Sequence, residues 1–271
     1  MSYYETLHLQ SEPFSTSPDP QFFYPSSSHD AALKRLEIAI RLRRGLNVIL
    51  GDVGTGKTTL SRMLIQLFKD EPDFIFHMIL DPSYKTEFQF ISSLGKMFGV
   101  TPSFRSTLDY KDALEKYLFQ KGVDENKTIV LLIDEGQKLT PTQIEILRTL
   151  LNYETNKYKL LQLVILSQIE LLPKIRRIRN FMDRINLKYI INPLDENETK
   201  LLINFRLKQA GYIRSEELFT DNAIKHIYEH TQGYPRKISM LCHDALEMLI
   251  MRERRFVDES LVEEIMAREV R

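Results

Sequence analysis

The chain has 271 residues, 43% of them hydrophobic, which suits one large domain or two smaller ones with a buried core. Its 37 basic and 37 acidic side chains give a net charge of zero, so no global field attracts nucleic acid or acidic membranes. The single cysteine, Cys242, excludes an intramolecular disulfide and a cysteine metal site, and the six histidines lack ligand spacing. Without a membrane-length apolar run or a signal-peptide pattern, we expect a cytoplasmic protein.

The first part of the chain predicts an ordered arm followed by a helix. Proline and serine are frequent up to Ser28, and these residues favour extended and turn conformations. A helix is expected from Ser28 or Asp30 to about Arg44, because apolar residues recur at helical spacing and Gly45 supplies a stop.

Residues 51–58 fit the pattern G-x-x-x-x-G-K-[ST] at every fixed position, between an apolar run and a helical stretch. Glycines let the backbone curl so that successive N–H groups point at a phosphate, and a helix N-terminus favours an anion. Lys57 is expected to reach the β- and γ-phosphates, and the Thr58 hydroxyl to ligate Mg²⁺. A chance glycine turn is the alternative, which the strand, loop and helix context disfavours. The predicted nucleotide-binding residues of this phosphate loop are Gly51, Asp52, Val53, Gly54, Thr55, Gly56, Lys57, Thr58 and Thr59.

The next elements alternate between strands and helices. Strands are predicted at residues 46–50, 74–80, 128–133, 161–166 and 185–191, and helices at 58–68, 87–98, 108–121 and 141–153. This alternation predicts an α/β fold with a parallel sheet covered on both faces. From Asp195 onward the pattern is helical, at about 196–210, 220–231, 235–251 and 258–268. We therefore predict an N-terminal arm and helix at 1–44 as part of the same module as an α/β core at 45–194, and a helical domain at 195–271.

Asp134 and Glu135 end the most apolar strand. In phosphate-loop enzymes such an Asp holds Mg²⁺ through its water shell, and a following Glu can polarise the attacking water. Two carboxylates that merely start a solvated loop are the alternative. The next strand ends in Ser167 and Gln168, one of which can hydrogen-bond the water or the γ-phosphate if the two strands are neighbours. An ordinary strand-end cap explains this pair equally well.

Two arginines stand at positions where they could contact a nucleotide. Arg184 lies just before the last strand, where it could stabilise transition-state charge at a neighbouring subunit's nucleotide. A surface ion pair with Asp183 or Glu170 is the alternative. Arg236 follows Pro235 at a predicted helix start, so it could face the nucleotide from the helical domain, unless it is an ordinary surface arginine.

Together these residues resemble the AAA+ ATPases of the secretion-pathway A-protein type, which are related to pilus-assembly ATPases. The resemblance covers nearly the whole chain. It rests on Pro13-Phe14, residues 18–23, residues 51–59, residues 134–137 and residues 233–236. Gly136 and Lys138 depart from the more usual alanine and asparagine of this family.

The resemblance implies a five-stranded αβα core with a helical lid, ATP and Mg²⁺ as cofactors, and a homo-oligomer with shared sites. It implies a Walker B role for Asp134 and Glu135, with Thr58 and Asp134 at the metal. It also implies a sensor 1 role near Ser167 and Gln168, a sensor 2 role for Arg236, and an arginine finger at Arg184, with Arg176, Arg177 and Arg179 close by.

Three functions follow as hypotheses. The first is an ATP-hydrolysing motor or switch that assembles a secretion or pilus envelope complex, peripheral to the inner membrane through its partners. The second is an ATP-dependent DNA-binding regulator like those of transposition, forming rings or filaments on DNA. Its phosphate contacts would come from one of two basic clusters, Arg41, Arg43 and Arg44, or Arg176, Arg177 and Arg179. The third is a slowly hydrolysing nucleotide-dependent scaffold.

Overall fold

A computed structural model describes residues 3–100, 102, 106–213 and 216–269. In this part of the chain five strands form one parallel sheet in the order β2-β3-β4-β1-β5. The strands are β1 (Leu46–Gly51), β2 (Phe74–Ile79), β3 (Thr128–Ile133), β4 (Leu161–Ser167) and β5 (Ile185–Ile191). The predicted bounds agree with these to within one residue, and the predicted α/β fold class is confirmed.

The longer helices begin and end close to the predicted positions. They are α1 (Tyr3–Thr6), α2 (Ser27–Arg41), α3 (Lys57–Leu67), α4 (Glu87–Met97), α5 (Thr107–Phe119), α6 (Pro141–Leu150), α7 (Leu171–Arg176), α8 (Glu196–Gln209), α9 (Asp221–Thr231), α10 (Pro235–Met251) and α11 (Glu259–Glu269). Capping residues determine where several helices begin. In α6, Thr140 is the N-cap in a capping box with Gln143, and Pro141 lies in the first turn. The short helices α1 and α7 were not predicted from the sequence.

The inner strands β1, β3 and β4 are buried along their whole length, as their continuous apolar runs predict. Successive side chains point to opposite faces, so both faces of the sheet are covered. One face packs with apolar residues of α4, α5, α6 and α7 in a single core cluster. Along the edge strand β5, half-buried residues alternate with exposed ones until Ile191.

Contacts between Cα atoms divide the chain into two compact units. The first, the helical unit, contains the described residues of Met1–Ser27, Gly54–Thr59 and Asn192–Arg271; the second, the sheet unit, contains Ser28–Val53 and Leu60–Ile191. The domain boundaries at 44/45 and 194/195 stay a prediction. The contacts group the N-terminal arm with the helical residues rather than with the sheet.

The arm is held inside the helical unit by backbone and aromatic contacts. Gln10 donates its backbone N–H to the carbonyl of Ala210 at 2.7 Å. Phe14 is buried, and its ring packs edge-to-face on Phe219 with 5.9 Å between centroids. Arg206 donates to the Ser15 carbonyl at 3.1 Å. Phe14 of the arm therefore belongs to the core of the helical unit. Among the described residues, no helix is both long and apolar enough to cross a membrane.

Candidate functional site

The phosphate loop follows β1 and leads into α3. Gly54 and Gly56 have φ values of +80° and +91°, in the region that favours glycine. Thr55 and Lys57 are buried, and α3 begins at Lys57, so its first N–H groups belong to the loop. Thr58 follows in the first turn. Two glycines at positive φ, a helix N-terminus, a lysine and a hydroxyl form the donor set that a triphosphate with Mg²⁺ requires, so these residues fit the predicted groups.

Arg236 lies against the same loop within the helical unit. Its backbone N–H donates to the Gly54 carbonyl at 3.2 Å. A Cβ atom added at Gly54 would lie 3.1 Å from the Cβ of Arg236. Close approach to Arg236 therefore adds a second reason for glycine at this position, and the sequence motif alone gives no sign of it.

Gly233 fixes the approach to α10. Its φ is +73°, and an added Cβ would lie 1.9 Å from the Leu194 carbonyl oxygen. Leu194 donates its N–H to the Gly233 carbonyl at 2.9 Å, so the two backbones lie directly against each other. Pro235 then occupies the first turn of α10, as predicted. The Arg236 side chain is exposed at this helix start.

Three neighbouring strands of the sheet unit end next to one another. β4 pairs with β3 on one side and with β1 on the other. The ends at Gly51, Asp134 and Ser167 therefore lie at one edge of the sheet. This is the strand neighbourhood that the sequence interpretation required for Ser167 and Gln168.

Asp134 and Glu135 differ in their environment. Asp134 is buried, with 2% of its surface exposed, and its N–H donates to the Ile79 carbonyl at 2.8 Å. Its Oδ1 accepts the Glu135 N–H at 2.8 Å. Glu135 is half-buried and has a φ of +52°, a left-handed conformation that is costly for a residue with a side chain. Such strain is common at functional sites, which makes Glu135 a candidate for one.

Gln137 bridges the residues at this edge. Its Nε2 donates to Glu135 Oε2 at 2.7 Å. Its Oε1 lies 3.2 Å from the Ser167 hydroxyl and 3.0 Å from the Gln168 backbone N–H, and it accepts from both. The sequence analysis assigned no role to Gln137, although it belongs to the motif at residues 134–137.

The two departures from the family pattern have structural causes. A Cβ at Gly136 would lie 2.4 Å from Ile165 Cγ2, so alanine does not fit between this turn and β4 without a shift. Lys138 pairs with Asp81 at 2.8 Å, and this hydrogen bond lowers the pKa of the Asp81 carboxyl. The Lys174 ammonium, on α7, donates hydrogen bonds to the carbonyls of Gln137 and Leu139 and so holds the same turn.

Ser167 and Gln168 are not equally available. Ser167 is fully buried, and its single hydroxyl proton is shared between Gln137 Oε1 and the Gln168 carbonyl at 2.9 Å. The Gln168 side chain is half-buried, and within the described residues its amide has no hydrogen-bond partner. Of the two, Gln168 is the side chain with free polar groups.

Arg184 lies at the opposite edge of the sheet. It directly precedes β5, which runs parallel to β1 with Leu46 beside Ile185. β1 has six residues, each rising about 3.3 Å, so the end of the sheet where Arg184 lies is about 20 Å from the start of the phosphate loop at the other end. That distance exceeds the length of an arginine side chain, so Arg184 cannot reach the carboxyl edge of its own sheet.

Arg184 lines an open cavity of about 720 Å³ together with Arg44, Asn180 and Asp183. Its Nε is buried without a hydrogen-bond partner in the described part of the chain. The ion pairs with Asp183 or Glu170 that the alternative interpretation required are absent from the described residues.

The two basic clusters have different surroundings. Arg41 forms ion pairs with Glu37 and Glu71 and lies 4.8 Å from the Phe68 ring centroid. Arg43 donates to Thr128 at 2.9 Å and to the carbonyl and side chain of Asn126, and it stacks on a tyrosine ring. These two arginines are already engaged within the sheet unit, which disfavours them as phosphate contacts, and the cluster at residues 41–44 stays a prediction.

Arg176, Arg177 and Arg179 are exposed, and within the described residues none of them forms an ion pair or a side-chain hydrogen bond. Arg176 ends α7, and the other two follow it directly. This second cluster is therefore available to a partner.

Comparison with known proteins gives one family match and several similar proteins. Residues 40–175 match the family model described as an AAA domain. The General secretion pathway protein A of Aeromonas hydrophila is 35% identical over 253 residues, covering 90% of this chain and 44% of that protein. The chain thus spans less than half the length of this relative. The predicted resemblance to the secretion-pathway A proteins is confirmed.

Two solved structures have the same fold at low sequence identity. The Aeropyrum pernix ORC2 protein, in ADPNP and ADP complexes, matches with a TM-score of 0.67 and 17% identity, covering 94% of this chain and 71% of that one. A chain of Drosophila ORC bound to DNA matches with a TM-score of 0.71 and 21% identity, covering 100% of this chain and 66% of that one.

Proposed function

Since the chain belongs to the AAA domain family, whose members are phosphate-loop nucleoside triphosphatases, we propose that it binds ATP with Mg²⁺ and hydrolyses it. The observation that carries this proposal is the strand order: β4 lies between β1, which leads into the phosphate loop, and β3, which leads into Asp134. A triphosphatase needs its phosphate-binding loop, its metal-holding carboxylate and its water-orienting group at neighbouring strand ends.

Each residue has a distinct proposed task. The backbone N–H groups of residues 51–57 hold the phosphates, with the Lys57 ammonium at the β- and γ-oxygens. The Thr58 hydroxyl and the buried Asp134 hold Mg²⁺, directly or through its water shell. Bound Mg²⁺ would neutralise charge on the phosphate oxygens. Glu135 orients the attacking water, and the Gln168 amide is the better placed of the two strand-end side chains to bond it or the γ-phosphate.

The two arginines have separate proposed roles. Arg236, whose backbone touches Gly54, senses the nucleotide from the helical unit. Arg184 acts on the nucleotide of a neighbouring subunit, because it lies at the sheet edge that its own phosphate loop does not occupy. Hydrolysis at shared sites therefore requires a homo-oligomer, either a ring or a filament.

The test is ATP turnover by Glu135→Gln, with Glu229→Gln, an exposed glutamate in the helical unit, as the matched control. We expect the first variant to retain ATP affinity and to lose turnover about 100-fold or more, and the control to match the wild type. Lys57→Ala should lose nucleotide binding. Unchanged turnover in Glu135→Gln would refute the catalytic assignment, and a single turnover with no further cycles would favour the slow scaffold.

For the biological role we propose assembly of a secretion or pilus envelope complex, supported by the identity to a protein named for the general secretion pathway. The test is co-purification of this chain, crosslinked in ATP, with envelope components of its own cell. We expect Glu135→Gln to retain such a complex longer than the wild type. Recovery without any envelope protein would contradict this role.

A second candidate function is ATP-dependent binding of duplex DNA. The exposed cluster Arg176, Arg177 and Arg179, which has no ion pairs among the described residues, favours it. The triple alanine variant should then reduce DNA affinity and the steepness of its salt dependence. Lys225→Ala, an exposed lysine of α9, is the control. No DNA retention by the wild type at low salt, with and without ATP, would exclude this function.

A further inference from the structure

Gln137 occupies the only hydrogen-bond bridge that the described residues show between Glu135 and the end of β4. One end of its amide contacts Glu135 Oε2 at 2.7 Å, and the other lies 3.0 Å from the Gln168 N–H. The three residues come from two different strand ends, so the bridge is not a local feature of one turn.

The orientation of the Gln137 amide is determined by chemistry. A backbone N–H can only donate, so the amide group facing Gln168 must be the carbonyl oxygen. The NH₂ group then faces Glu135, which accepts through Oε2. Turning the amide over would leave donor against donor at one end and acceptor against acceptor at the other. The bridge therefore fixes one oxygen of the Glu135 carboxylate.

The backbone that carries this amide is also fixed. Lys174 donates to the Gln137 carbonyl, and also to the Leu139 carbonyl at 3.2 Å. Gly136, which has no Cβ, packs against Ile165 of β4. Glu135 itself has a left-handed backbone and no other side-chain hydrogen bond within the described residues. Its carboxylate direction thus depends on Gln137.

We propose that Gln137 is a positioning residue that orients the Glu135 carboxylate and couples it to the strand end at Ser167 and Gln168. This inference rests on the proposed ATP hydrolysis. Gln137 Oε1 accepts from the Ser167 hydroxyl as well as from the Gln168 N–H, so the coupling runs through both residues of this strand end. A shift of the strand end would weaken the contacts that orient the Gln137 amide, and with them the hydrogen bond that aligns Glu135.

The first test is single-turnover ATP hydrolysis by Gln137→Ala, beside Glu135→Gln and the double variant. We expect Gln137→Ala to lower the rate about 10- to 100-fold with unchanged ATP affinity and Tm, because misalignment of a catalytic group costs that much. Because Gln137 acts through Glu135, the double variant should be no slower than Glu135→Gln alone. Gln66→Ala, an exposed glutamine of α3, is the matched control and should match the wild type.

The second test uses Gln137→Glu, which keeps the size of the side chain in case the alanine variant folds poorly. The new carboxylate still accepts from the Gln168 N–H, but it faces the Glu135 carboxylate without a proton to donate. We expect the single-turnover rate to fall at least as far as in Gln137→Ala, with unchanged ATP affinity, because two like charges repel and turn the Glu135 carboxylate away. If Gln137 served packing alone, this variant of the same size would keep a rate close to that of the wild type.

The outcomes separate the two ideas. Equal rates for wild type and Glu135→Gln would overturn the proposed hydrolysis and the role of Gln137 with it. A loss in Glu135→Gln, with Gln137→Ala at the wild-type rate, would overturn the role of Gln137 alone. Losses that multiply in the double variant, or a wild-type rate in Gln137→Glu, would also overturn that role.

Discussion

Replacement of Gly136 by alanine tests the packing between the 134–137 turn and β4. The added Cβ would lie 2.4 Å from Ile165 Cγ2, where carbon atoms in contact prefer about 3.5–4.0 Å, so the turn must move by about 1 Å. Overpacking of this kind costs about 1–3 kcal/mol. The lower chain entropy of alanine in the unfolded state returns about 0.4–1 kcal/mol. We expect a net loss of about 1–2 kcal/mol and a Tm lower by roughly 2–4 °C per kcal/mol.

Thermal unfolding is measured in a double-mutant cycle with Ile165→Ala. Removal of the Ile165 branches costs about 2–5 kcal/mol alone, but it also makes room for the new methyl group. Gly136→Ala should therefore cost less in that background, and the cost that remains comes from the Leu166 carbonyl oxygen and Ser167 Cβ, each 3.2 Å from the added Cβ. Gly122→Ala is the matched control, since the one close contact of its Cβ would be the terminal Cδ2 of Leu160 at 2.9 Å, which can rotate away, and the next atoms lie at 3.7 Å. Equal costs of Gly136→Ala in both backgrounds would refute the steric argument.

Three further predictions concern stability and reactivity. Burial lowers the pKa of His77 from 6.5 to about 4, so protonation favours the unfolded state and stability falls as the pH drops from 6.5 toward 4. His77→Phe, which can keep the stack on Phe98, should flatten that part of the stability-versus-pH curve, and an unchanged slope would contradict the assignment. Burial raises the pKa of the Cys242 thiol, so iodoacetamide at about pH 8 should label it only in denaturant; labelling of the native protein would disagree. Arg41→Ala should lower stability by about 1 kcal/mol through lost stacking on Phe68 and leave DNA affinity unchanged; weaker DNA binding would identify Arg41 as a phosphate contact.

The sequence predicted the strands well because their signal is local. The run at residues 129–133 is apolar at every position, which is typical of a strand buried on both faces. It did not predict α7, because six residues with a proline inside give too little helical periodicity. The predicted helix to residue 153 ends at Leu150, and helix ends are set by caps and tertiary contacts that a pattern does not contain.

The candidate site divides in the same way. The phosphate loop and the acidic pair are contiguous motifs, so the sequence alone identifies them. The contact of Arg236 with Gly54 joins residues 182 positions apart, and it depends on where α10 begins. The hydrogen bond between Gln137 and Gln168 joins residues 31 positions apart, and it depends on the strand order. A sequence pattern contains neither. The choice between Ser167 and Gln168 likewise depends on which side chain already has a partner, which only the structure shows.

The parallel sheet has two chemically different edges, and this polarity distinguishes the possible assemblies. One edge carries Asp134 and Glu135, and the other carries Arg184. If Arg184 acts on a neighbouring subunit as proposed, an isologous pair that placed each Arg184 at its partner's acidic edge would be complete with two subunits, because in such an interface residue i contacts j and j contacts i. A head-to-tail interface makes one such contact and leaves one unmatched edge at each end until the ring closes. An open head-to-tail chain of n subunits would then have n − 1 complete sites, so turnover per subunit should rise with chain length and level off at closure.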